Sequence, residues 1–228
     1  MPYSETIPTS QHAATAAPVK MLNLEKLAAA QLHTEPYEYL LVDDFLRDEH
    51  KTAIITDFPE IERHGSFPLS TLKYGPAFAQ LASELFSRQF AEVVGEKFSL
   101  DLAQYPTMLT VRGWCDDSDG QIHTDSTSKV ITVLLYVNPQ WSSEGGRLRL
   151  LRSKKLDDYV AEVAPTMGSL IIFKRSERSW HGHKPFEGKR MSLQFNWVNS
   201  SRYMERERFR HRVSSFLKRL RGQVAYEG

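Results

Sequence analysis

Three short stretches hold the residues able to do chemistry: Gln121-Ile122-His123-Thr124-Asp125, Ser179-Trp180-His181-Gly182-His183 and Gly188-Lys189-Arg190-Met191-Ser192. Side chains two apart on a strand share a face, so His123 and Asp125 can converge on one point. A third imidazole, from a distant part of the chain, would close a triangle on one side of a metal ion. Two histidines and one carboxylate bound facially leave the opposite coordination positions open. Such a site suits non-haem Fe(II) that must also take up an oxidant and a cosubstrate. An H-x-D pair alone recurs by chance, and a buried histidine is often merely hydrogen-bonded. The information lies in the order: H-x-D, a β-rich stretch, a histidine, then Arg190 nine residues after His181. His181 and His183 also stand two apart, so spacing does not choose between them. The rival metal reading is a structural zinc site, which would want four ligands where three match.

The elements that must position these residues are legible in outline. Asn23 can cap a short helix reaching about residue 32, with Leu24, Leu27 and Ala28 on one stripe. Residues 37–42 read as a strand and 48–57 as a helix. Pro59, Gly65 and Pro68 mark 58–74 as loop. From 76 to 97, Phe78, Leu81, Ala82, Leu85, Phe86 and Phe90 recur at three and four, which predicts one helix. After Pro106 short β-rich runs take over, at 108–114, 130–137, 147–151, 160–163, 169–174 and 191–198, punctuated by glycine and proline. Strands at this spacing predict a β-sandwich or barrel, with the preceding helices packed on one outer face.

Helical spacing returns at 202–220, where Phe209, Val213, Phe216, Leu217 and Leu220 form an apolar stripe and Arg206, Arg210, Arg212 and Lys218 a basic one. The expected organisation is a flexible tail over 1–20, helices and a strand over 21–100, a β core over 101–200, and a basic amphipathic helix over 201–228.

With those residues in place, the pattern from about 107 to 198 resembles the 2-oxoglutarate- and Fe(II)-dependent dioxygenases, and among them the prolyl-4-hydroxylase-like branch. In the oxygen-sensing prolyl hydroxylases, H-x-D leads into an apolar strand ending Tyr-Leu-Asn; here it ends Tyr136-Val137-Asn138. Trp141 and Gly145-Gly146-Arg147-Leu148-Arg149 are also similar to the family. The family's late H-x-V-x-P and G-x-R-x-S elements resemble His181-Gly182-His183-Lys184-Pro185 and Gly188-Lys189-Arg190-Met191-Ser192. His183 departs from the pattern, because the family usually has an apolar residue there.

The resemblance implies a fold that is mainly β with flanking helices (α+β), a double-stranded β-helix or jelly roll. It implies that His123, Asp125 and His181 are the catalytic residues and hold Fe(II). It implies that Arg190 pairs with the far carboxylate of 2-oxoglutarate, supported by Tyr136 and by Ser192. The activity so implied is hydroxylation of a C–H bond, using O2 and releasing succinate and CO2. The rival from another class is a catalytically inactive jelly-roll binding module.

Arg147 and Arg149 share a strand face and are candidates for binding an anionic substrate, as against a solvated strand face. The loops 58–74 and 115–120 are candidates for substrate recognition. Cys115 reads as a small buried hydrophobe.

Bulk properties narrow the class. The 228 residues suffice for one domain with a sizeable core. Hydrophobic residues make up 41% and charged residues 25%, as in an ordinary globule. Lys+Arg at 29 against Asp+Glu at 28 gives +1, no global reason to expect nucleic acid or an anionic membrane. One cysteine cannot form an internal disulfide. No run approaches the roughly 20 apolar residues that span a bilayer, and residues 1–20 lack the pattern of a signal peptide. The expectation is a soluble cytoplasmic chain whose partner is a small-molecule or protein substrate.

Overall fold

The computed structural model describes residues 20–199. The expected tail, apart from Lys20, and the expected C-terminal helix lie outside the described residues.

The organising feature is alternation along two strands. In β9 (Gly188–Val198), Met191, Leu193, Phe195 and Trp197 all join one apolar cluster. The residues between them, Arg190, Ser192, Gln194 and Asn196, point the other way, as a period of two requires. β4 (Lys129–Tyr136) pairs antiparallel with β9. There Ile131, Val133 and Leu135 join the same cluster, while Thr132, Leu134 and Tyr136 share the opposite side. One large sheet therefore has an apolar outer face and a polar inner face.

That sheet runs β1-β7-β4-β9-β3-β2. Its remaining strands are β1 (Tyr39–Val42), β2 (Phe67–Pro68), β3 (Thr107–Cys115) and β7 (Leu170–Lys174). The smaller sheet, β6-β5-β8, comprises β5 (Leu148–Leu151), β6 (Tyr159–Val163) and β8 (His181–His183). From β6 onward successive strands alternate between the two sheets, β6 and β8 in the small one and β7 and β9 in the large one, as in a double-stranded β-helix. Leu148 and Leu150 of the small sheet pack with Tyr136, Ile171 and Phe173 of the large one, closing one end of the space between them.

Helices cover the outer face. α1 (Leu24–Ala29) starts where the Asn23 side chain accepts from Lys26 N, and α2 is Asp48–Thr56. The single helix expected over 76–97 is in fact two, α3 (Pro76–Leu85) and α4 (Arg88–Phe98). Ser87 adopts extended backbone and its hydroxyl accepts from Phe90 N, so it caps α4 and breaks the run. The apolar spacing carries across the break because α3 and α4 bury side chains in the same cluster. Two strands are absent from the sequence reading: β2, which lies in the stretch expected as loop, and β8. Three residues reading His-Gly-His have no intrinsic strand signal, and β8 exists because β5 pairs along it. Among the described residues, no helix is long and apolar enough to cross a membrane.

Candidate active site

His123 and His181 meet by backbone pairing. Each N–H donates to the other's carbonyl at 3.0 Å, an isolated antiparallel bridge on the edge of β8. This brings the two rings to 4.4 Å between centroids. Each ring is then oriented by the same local device. Nδ1 of His123 lies 2.7 Å from the carbonyl of Gln121, and Nδ1 of His181 lies 3.0 Å from that of Ser179. A carbonyl only accepts, so Nδ1 carries the proton in both rings and Nε2 presents a lone pair. Burial lowers the His181 pKa to about 4, against the raising effect of Asp125, so the ring is neutral at physiological pH.

Asp125 completes the group. It is not on a strand shared with His123, as the H-x-D spacing suggests, but in the loop that enters β4. Convergence comes from the bridge to His181 and from bonds made by β4. Lys129 Nζ lies 2.6 Å from Oδ1 and Thr132 Oγ1 lies 2.5 Å from Oδ2. Burial alone would raise the Asp125 pKa. The Lys129 charge, His181 and these two hydrogen bonds outweigh it and hold the carboxyl below its usual range. The ligating atoms of His123, Asp125 and His181 all lie within 4.8 Å of one another. Two neutral imidazoles with free Nε2 lone pairs and one ionised carboxylate are the donor set that a facial Fe(II) site requires, so the residues fit the metal.

A cavity of about 370 Å³ runs from this triad into the space between the sheets. At its far side, Arg190 is buried. Its Nε donates to Gly146 O at 2.8 Å and one Nη to the Tyr136 hydroxyl at 3.0 Å. Among the described residues no carboxylate pairs with it. A buried guanidinium without an acidic partner is costly unless something anionic joins it. Because the Tyr136 hydroxyl accepts from Arg190, its own proton is free to be donated. Ser192, directly across from Tyr136, lines the cavity too.

Gly146 explains the double glycine. Its φ is +73°, and a Cβ there would stand 2.7 Å from the Trp141 ring. Only glycine lets the chain pass beneath Trp141 and bring its carbonyl to Arg190.

His183 lines the cavity without joining the metal cluster. Register separates it from His181. His181 faces Leu150 and bridges His123, whereas His183 faces Leu148 and receives the Gly120 carbonyl on its N–H at 3.0 Å. Its Nδ1 lies 2.9 Å from Lys184 O, and its Nε2 lies 4.0 Å from Cys115 Sγ. Burial, then the charges of Arg190 and Arg112, lower its pKa to about 4. Gly120 packs flat on this ring, where a Cβ would collide with it. Cys115 is buried as expected, and burial pushes its thiol up to about 11.

The other sequence candidates separate clearly. The 115–120 loop does reach the cavity, through Ser118, Asp119 and Gly120. Asp116 and Asp119 are used inside the loop: Asp116 Oδ1 accepts from Ser118 N and Oγ, and Asp119 Oδ2 from Asp116 N. No residue of 58–74 lines the cavity. That segment is pinned to the outer edge of β3 by β2, with Ile61 against Gly113. Arg149 is not free for a substrate. It is buried between Glu162 at 2.6 Å and Asp157 at 2.8 Å, over the Tyr159 ring, and ties β5 to β6. Arg147 donates to Ser143 O at 2.8 Å and stays outside the cavity. Sequence reading missed Lys129, Thr132 and Gln194. Thr132 and Gln194 stood on strands correctly placed, and alternation with the apolar residues was the signal that could have found them.

Comparison with known proteins shows what this part of the chain is similar to. Residues 111–199 match the model of the 2OG-Fe(II) oxygenase superfamily. Over these residues, fewer than half of the chain, the sequence is similar to that superfamily. The matched stretch contains the triad, Tyr136, Arg190 and Ser192. No curated protein matches the chain.

Among solved structures, a prolyl-4-hydroxylase from Pseudomonas putida is 15% identical with a TM-score of 0.55, covering 82% of this chain and 97% of that one. A prolyl 4-hydroxylase from Phytophthora capsici is 16% identical with a TM-score of 0.54, covering 83% and 69%. An oxidoreductase of the 2OG-Fe(II) oxygenase family from Burkholderia pseudomallei is 13% identical with a TM-score of 0.50, covering 77% and 90%. At these identities the likeness is one of fold, the double-stranded β-helix. The family's cofactors are Fe(II) with 2-oxoglutarate and O2 as cosubstrates, and the matched segment holds a donor set that fits the metal.

Proposed function

We propose that this chain is a dioxygenase that hydroxylates a C–H bond of a small molecule or a protein side chain, converting 2-oxoglutarate to succinate and CO2. His123, Asp125 and His181 hold the iron; Arg190, Tyr136 and Ser192 hold the far carboxylate of the oxo-acid. The observation that carries the reading is one cavity with two unlike ends. At one end three metal-type donors converge. Across the cavity a buried arginine has no acidic partner among the described residues.

When bound, Fe(II) with 2-oxoglutarate and O2 supplies the oxidising chemistry. The chain's residues supply position. The Gln121 and Ser179 carbonyls fix the two rings so that Nε2 faces the metal. Arg190, itself held by Gly146 and Tyr136, offers its remaining N–H groups to a carboxylate, and charge-assisted pairing of this kind is both strong and directional. Leu134 and Leu148 line the cavity between the ends and limit water there. Gln121, Gln194, His183 and the Arg112–Asp119 ion pair are polar lining that faces the substrate to be oxidised.

The test is an anaerobic titration of the protein with Fe(II) and 2-oxoglutarate. A weak visible charge-transfer band should appear only when both are present, and admitting O2 should then yield succinate. No band would overturn the reading. A band without succinate, across a panel of peptides and metabolites, would favour the inactive binding module.

A further inference from the structure

Behind the metal end lies a chain of buried polar groups that proton counting orients. Asn196 and Thr132 are 0% and 1% exposed, and face each other across the β4–β9 ladder. Thr132 Oγ1 lies 2.5 Å from Asp125 Oδ2 and 3.0 Å from Asn196 Oδ1, two acceptors, while Asn196 Nδ2 has no partner. A threonine hydroxyl has one proton and cannot donate to both. The shorter, charge-assisted contact to the carboxylate takes it. The Asn196 atom facing Thr132 must then be a donor. A half turn of the amide, which exchanges two nearly indistinguishable atoms, puts Nδ2 there and removes the orphaned donor. What remains unpartnered is an amide oxygen, the less costly orphan.

We infer that Asn196 and Thr132 form a one-directional relay, Asn196 N–H to Thr132 oxygen and Thr132 O–H to Asp125, that positions the Asp125 carboxylate for the metal. Both are positioning residues, and the inference rests on the metal reading of the triad given above. The relay fixes Oδ2 from inside the sheet. Lys129, at the start of β4, fixes Oδ1 at 2.6 Å. A carboxylate held at both oxygens keeps its lone pairs aimed, and outer contacts of this kind are worth roughly 10–100-fold in metal affinity.

The experiment uses Mn(II) as probe, with its dissociation constant measured by calorimetry on the full chain, and thermal melting recorded in parallel. Thr132→Val keeps the shape and removes the hydroxyl; it should weaken Mn(II) by about 10–100-fold. Thr132→Ser keeps the hydroxyl and should bind within about threefold of the parent. Asn196→Leu leaves Thr132 able to donate and should fall between them. The double variant Thr132→Val with Asn196→Leu removes both polar partners; it should recover melting temperature over Thr132→Val alone without recovering affinity.

A packing role makes the opposite prediction, with Val harmless and Ser, which leaves a void, harmful. That pattern, or Val and parent alike, overturns the relay. Should the Val variant fail to fold, the Ser and Leu variants decide alone, and Leu equal to parent overturns it. Failure of the parent to bind Mn(II) overturns the metal reading instead, so the two failures are told apart.

Discussion

The two faces of the large sheet are built on the same strands and held by different physics. On the outer face, Phe195 packs against Phe86, Phe90 and Trp197, within a cluster drawn from every helix. Apolar burial of this kind is non-directional and shared among many neighbours. On the inner face, Arg190 depends on one carbonyl and one hydroxyl, and Asp125 on one ammonium and one hydroxyl. Directional bonds are few there, and none has a substitute. The outer face should therefore govern whether the chain folds, and the inner face what the folded chain binds.

Substitutions on each face can break that division. The largest effect should come from Asp125→Ala, which takes away the only carboxylate of the triad. Succinate formation should fall to background while the chain still folds, with a lowered melting temperature because Lys129 loses its buried partner; a chain that no longer folds would put Asp125 on the wrong side of the comparison. Phe195→Ala is the opposite case. Truncating a fully buried phenylalanine costs roughly 3–5 kcal/mol, to be read by urea denaturation, and 2-oxoglutarate affinity of the molecules still folded should not change.

Arg190→Ala comes next. Breaking a buried charged pair costs on the order of 3–5 kcal/mol, so 2-oxoglutarate should bind more than about a hundredfold more weakly, measured by calorimetry with Mn(II) present. An unchanged affinity would remove Arg190 from its role. The smallest effect should follow Tyr136→Phe, which keeps the ring beneath the guanidinium and loses one hydroxyl. About 1 kcal/mol, or roughly fivefold in 2-oxoglutarate affinity, is expected, with stability unaltered.

Much of this was legible in the residues. The alternation Met191-Ser192-Leu193-Gln194-Phe195-Asn196-Trp197 announces a strand with two unlike faces before any partner is known. Pro76 and the three-and-four spacing after it announce a helix, though not the Ser87 break, because a serine inside a good apolar period carries no clear stop signal. Arg149 was misjudged for a related reason. Strand parity correctly separated it from Leu148 and Leu150, but parity says only which face, and that face is closed by Glu162 and Asp157 of a neighbouring segment.

What the sequence by itself determined was the inventory: two histidines and a carboxylate able to hold a metal, an arginine in a strand, and the parity that sends each side chain to one face or the other. Those follow from residue chemistry and from a backbone period of two, both local properties. Only the tertiary structure decided which histidine meets His123, that Asp125 joins the two imidazoles from a loop, and that Asn196 stands behind Thr132. Each of these is a matter of register between segments far apart in the chain, set by which backbone groups pair and which apolar faces close, and no local period carries that information.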